Sequence, residues 1–171
     1  MRHILNLPQA SPIPCPPPGL DIAARPFLCA DDVAQCAVEG GILTGQRRTQ
    51  SWHLARDGQF TCGTRATCSD SLADWAAQPN RLIEAFLDGR AEGSCSPIWV
   101  VIDERPSGLT DPCEPPGEHD AEQYLRLQRQ LEVAGITLVD AVVFDDQRHW
   151  WSMCELLTGT TAWSARPTVV W

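Results

Sequence analysis

The stretch 102-IDERPSGLTDPCEPPGEHD-120 concentrates residues whose types could do chemistry. It holds the carboxylates Asp103, Glu104, Asp111, Glu114, Glu118 and Asp120, the thiol of Cys113, the imidazole of His119 and the guanidinium of Arg105. A hydrolytic zinc site needs three neutral or anionic ligands and a fourth position left for water. The metal lowers the pKa of that water to about 7, and a carboxylate moves the proton. Three ligand sets can be drawn: Cys113 and His119 with Cys62 and Cys68; Asp103, His119 and Asp120; or Cys113, His119 and Asp120. None has the spacing of an established zinc motif. Arg105 opposes the second set, because a guanidinium stays protonated, offers no lone pair and repels a cation. Cys113 with His119 as a thiol nucleophile is opposed by the surrounding acids, which raise the thiol pKa.

The elements that must position this stretch follow from periodicity and turn chemistry. Residues 30–41, ADDVAQCAVEGG, predict a short helix with acids at its start and glycines at its end. Residues 50–67 predict a hairpin about Asp57-Gly58. Residues 80–91 predict a helix with Leu82, Ile83, Phe86 and Leu87 on its apolar face. The run 97-PIWVVID-103 reads as a buried strand leading into the loop. After the loop, 119–135 is an amphipathic helix with Tyr124, Leu127, Leu131 and Ala134 on one side. Strands at 136–144 and 149–153 follow, and the tail is expected to add an edge strand. This order predicts a mixed α/β (α+β) fold with one central sheet and helices packed on its faces. At 171 residues the chain is read as one domain at 29–154, between a proline-rich arm at 1–28 and a tail at 155–171.

Order and residues together resemble the RadC-like branch of the JAB/MPN metalloprotease-like family. Its strand ends in His-x-His-Pro-Ser-Gly, followed by Ser-x-x-Asp at a helix start and a strand of the form Leu-Leu-Asp-His. Here 97-PIWVVI-102 runs into 103-DERPSG-108, a helix starts near Asp120, and Asp140 follows twenty residues later in 138-LVDA-141. The resemblance spans about residues 30–153 and implies a JAB/MPN-like mixed sheet with cytidine-deaminase-like layering. It also implies a disabled site. The two zinc-binding histidines fall on Asp103 and Arg105, the aspartate ligand on Asp120, and the serine before it on Gly117. The histidine after the last aspartate becomes Ala141, and no glutamate lies between Glu39 and Glu84 to serve as the catalytic one. Arg105 then either supplies the missing positive charge, pairing with Asp103 or Asp120, or points to solvent.

Net charge is −9, and all 13 basic residues are arginine, so a nucleic-acid-binding role is disfavoured and no lysine amine is available. The window 103–122 carries seven acids against Arg105. It is either a solvated loop and helix start or a surface for a basic partner, with Glu104, Asp111, Glu114 and Glu118 as its contacts. Seven tryptophans against one tyrosine add an aromatic signal. Trp150 and Trp151 are adjacent in a strand and point to opposite faces, so one leaves the core face, either to be covered by the tail or to anchor a partner. Trp163 is expected to contact a partner or a second copy of the chain. None of the eight cysteines forms a C-x-x-C pair, so no zinc-ribbon, finger or thioredoxin signature is read, and without secretion no disulfide framework is expected. The N-terminus lacks an unbroken apolar core of about 7–15 residues, so a cytoplasmic chain without a leader is expected.

Three functions follow. The first is a catalytically inactive RadC/JAB-like module, without cofactor, that binds a protein partner and pairs as a homodimer. The second is a metal-dependent hydrolase or isopeptidase with rearranged zinc ligands. The third is an acidic mimic of nucleic acid that occupies a basic protein.

Overall fold

A computed structural model describes residues 29–41, 43–54, 68–69, 71–91, 97–106, 115–159 and 163. The first helix forms where small apolar residues recur at helical spacing. In α1 (Ala30–Glu39), Ala30, Val33, Ala34 and Ala37 are buried on one side, Asp31 and Asp32 occupy the first turn, and Gly41 leaves it at φ 61°. Next come β1 (Arg48–Leu54) and β2 (Cys68–Ser69), which pair antiparallel. The Asp57-Gly58 turn lies outside the described residues. So do Cys62, Asp111, Cys113 and Glu114.

Two helices follow. α2 (Leu72–Ala77) is not visible as a hydrophobic period, yet its start is written in the chain: the Ser71 hydroxyl accepts from the Asp74 amide. α3 (Asn80–Ala91) buries Leu82 and Phe86 as expected, but Leu87 is 52 % exposed. The apolar stripe is narrower than its sequence: Leu82 and Phe86 are buried and Ile83 packs against the same core, while Leu87 faces away.

The strand expected before the loop is β3 (Ile98–Glu104), and α4 (Glu118–Val133) carries the chain to β4 (Thr137–Phe144). β3 and β4 are parallel, as a helical crossover requires. β5 (Trp150–Ser152) returns antiparallel to β4. α5 (Met153–Thr158) forms at the start of the tail, with the Ser152 hydroxyl accepting from the Glu155 amide and Gly159 closing it at φ 76°; the rest of the tail, where an edge strand was expected, lies outside the described residues except for Trp163.

The result is a mixed five-stranded sheet in the order β2-β1-β3-β4-β5, with helices. Both faces carry a core. One holds α1 with Trp52, Leu54, Val100, Ile102, Val142 and Phe144. The other holds residues of α2, α3 and α4 with Trp99, Val101, Leu138, Ala141 and Val143. A register shift opposite Trp99/Val100 pairs Trp99 with Leu138 but Val100 with Asp140. That irregularity puts Leu138 and Asp140 on opposite faces although they stand two apart. No helix among the described residues is long and apolar enough to cross a membrane.

Candidate functional site

The C-terminal end of β3 meets the N-terminal end of β1 and the start of α4. Strand alternation separates the polar residues there into two groups.

On the α4 side, Asp103 is fully enclosed. Its Oδ1 accepts from the Thr49 hydroxyl at 2.7 Å, and its Oδ2 accepts from Arg105 Nε at 2.6 Å. Arg105 Nη2 reaches Asp120 Oδ1 at 2.8 Å. Asp120 Oδ2 accepts from the Gly117 amide at 2.9 Å, which fixes the first turn of α4. The Arg105 amide donates to the Phe144 carbonyl at 2.7 Å, so β4 anchors the same residue. Arg105 thus points inward and ties β3 to α4, the pairing alternative raised for it, rather than facing solvent. Desolvation works against its charge, yet Asp103 and Asp120 raise its pKa further. Burial pushes the Asp120 carboxyl up, but the Arg105 and Gly117 hydrogen bonds outweigh it and hold it below the ordinary value.

On the α1 side, Glu104 is buried. Its Oε2 accepts from the Thr44 amide at 2.7 Å, the Gly45 amide at 3.1 Å and the Thr44 hydroxyl at 3.2 Å. Gly45 adopts φ 70°, a backbone form that glycine takes without strain. Glu104 was expected on a partner-binding surface; instead it is an internal clasp for the loop after α1, because strand parity turns it into the sheet. Desolvation raises its pKa, and the two amides and Arg48 offset this only in part. Arg48 and Gln50 are buried beside it on the same strand face.

The tryptophans are set against both cores. Trp150 and Trp151 do point to opposite faces, but each packs against a core, because this sheet is covered on both sides. Both are partly buried, and Trp163 of the tail packs against the same core as Trp150, as the tail-covering alternative has it. Trp163 packs against the α1-side core, and its Nε1 donates to Asp140 Oδ2 at 3.0 Å. It is an internal tether rather than a free anchor. Asp140 also accepts from the Ser152 hydroxyl at 2.7 Å and the Cys154 amide at 2.9 Å. A carboxylate inside the apolar run LVDAVVF was the signal for such a buried hub.

The candidate metal sets are not assembled where they can be followed. His119 is exposed, while Asp103 and Asp120 are bridged by the arginine. Cys68 lies in β2 opposite Gln50, and its proposed partners Cys62 and Cys113 fall outside the described residues. No group of three or more His, Cys, Asp or Glu among the described residues could hold a metal ion. A zinc ion does not fit between Asp103 and Asp120, because all four carboxylate oxygens already accept from cationic, hydroxyl or amide donors. Of the acids expected to meet a partner, Glu118 is exposed at the start of α4.

No family model, no curated protein and no solved structure matches this chain.

Proposed function

We propose that this chain is a non-catalytic α/β module, a degenerate relative of the RadC-like JAB/MPN family, that acts by binding a protein. One observation carries the reading: Arg105 sits between Asp103 and Asp120, the positions where the family resemblance places ligands. The guanidinium provides the positive charge that such a carboxylate pair otherwise takes from a metal. It cannot activate water, since it has no open coordination position and does not lower a water pKa as zinc does. What remains beside the clamp is a rim of exposed Glu118, His119 and Glu122 at the start of α4. Its charge suits a basic segment of a partner.

Zinc content of the tag-free protein, purified without chelator, tests the first half. A value near zero per chain agrees with the reading, and a value near one overturns it. The second half is tested by anisotropy with an arginine-rich peptide. Binding that is weakened by Glu118→Arg and kept in Asp146→Asn supports the acidic rim. Binding indifferent to Glu118→Arg rejects it. A hydrolase built on Asp120 would have to free a carboxylate that is committed to Arg105 and Gly117.

A further inference from the structure

Two side-chain donors buried beside Glu104 are left over from the clasp. Arg48 is 8 % exposed and Gln50 2 %, and their spacing of two along β1 puts both on the α1 face. Arg48 Nη2 donates to Gln50 Oε1 at 3.4 Å. A guanidinium only donates, so this contact sets the amide: its oxygen turns to Arg48 and its nitrogen turns away. Arg48 Nε and Gln50 Nε2 are then both buried without a hydrogen-bond partner among the described residues.

Glu104 stands opposite Arg48 in the strand register, yet it does not fill the gap. Its oxygens accept from Thr44 and Gly45, and no ion pair joins Glu104 to Arg48 among the described residues. Burying a donor is costly unless it is hydrogen-bonded, and burying a cation is costlier unless it is paired. Folded proteins keep few such groups open, and those they keep serve water, an ion or a function. Here two of them stand side by side, and one carries a charge.

We infer that Arg48 and Gln50 form a binding site for a small carboxylate, with Arg48 Nε and the Gln50 amide nitrogen donating to its oxygens. A carboxylate offers several acceptor positions on two oxygens, and its single charge balances one guanidinium. A doubly charged phosphate would be opposed by Glu104, which shares the face. The site lies at the end of the sheet, where Arg48 opens β1 and Glu104 closes β3. A ligand therefore enters from the strand ends, past the exposed Thr44 and Gly45. This inference depends on neither the arginine clamp nor the acidic rim.

Formate is the probe, because the smallest carboxylate enters any site that a larger one fits. Three heavy atoms hold it to about millimolar affinity at best. It is titrated into the full chain to about 100 mM, in exchange for chloride so that ionic strength stays constant. Saturation-transfer NMR on the formate proton reads binding, and the thermal midpoint reads its linkage to folding. The wild type should give a saturable transfer signal and a rising midpoint. Arg48→Met should lose both. So should the double variant Arg48→Met/Gln50→Leu, which leaves no polar group open at the site, and its far-ultraviolet circular dichroism should match the wild type. A wild type without a formate signal overturns the inference and leaves the two donors to a buried water. A signal that persists in the folded double variant overturns it too, since formate then binds elsewhere.

Discussion

Arg105 satisfies two carboxylates at once, and its removal leaves both without their cation. Asp103 is 2 % exposed and Arg105 18 %, so solvent compensates little. Arg105→Ala should cost about 3 kcal/mol of unfolding free energy, read as a lower midpoint in a urea titration. Arg105→Lys should recover only part of this, because an ammonium lacks the planar fork that reaches both acids. The acids also give opposite pH dependence. Asp120 titrates below its unfolded value of about 3.9. Its contribution is present above that pH and is lost as pH falls through the folded value. Asp120→Asn should therefore flatten the acid limb of a stability profile. Glu104 titrates above its unfolded value of about 4.3. The fold prefers it protonated, so its contribution is greatest below the unfolded value and declines as pH rises through the folded one. Glu104→Gln should remove that decline. If stability of the variant falls as steeply as wild type between the two values, the buried carboxyl is not its source.

Helix α1 rests on the sheet through alanines, and Ala30 and Ala37 have no exposed surface. Small side chains let the helix approach closely, so added volume has nowhere to go. Ala34→Leu should destabilise by about 1–3 kcal/mol through overpacking, seen as a lower thermal midpoint. At the other end of the chain, α5 and Trp163 are joined through Asp140. Trp163→Phe keeps the ring but removes the donor, and should cost about 1 kcal/mol. Hydrogen exchange should then quicken in α5 before it changes in β4, because β4 is held from both sides by β3 and β5. Equal acceleration in both elements would show that Trp163 does not act as a local tether.

Two cores share one sheet, so neither can be lost while the other keeps its floor. Tryptophans sample both: Trp52, Trp150 and Trp163 on one face, Trp75, Trp99 and Trp151 on the other. Tryptophan fluorescence and far-ultraviolet circular dichroism should report one coincident unfolding transition; two separated midpoints would mean that the faces unfold independently. The sequence alone was enough to read α1, α3, β3, α4 and β4, together with a mixed α/β class, because apolar periodicity and glycine stops are local properties of the chain. It also carried the starts of α2 and α5 in Ser71-x-x-Asp74 and Ser152-x-x-Glu155, which a search for hydrophobic periods passes over. That an arginine follows β3 where a metal ligand would be useful was visible too. Whether it turned inward was not, since side-chain direction at a strand end depends on what packs there. Tertiary structure decided the rest. Covering both faces of the sheet packed Trp150 and Trp151 each against a core, and strand parity made Glu104 a clasp instead of a surface acid. The irregularity in β4 turned Asp140 away from Leu138 toward Trp163. Each of these depends on which residues, distant in the chain, come to lie opposite one another, and no local pattern encodes that.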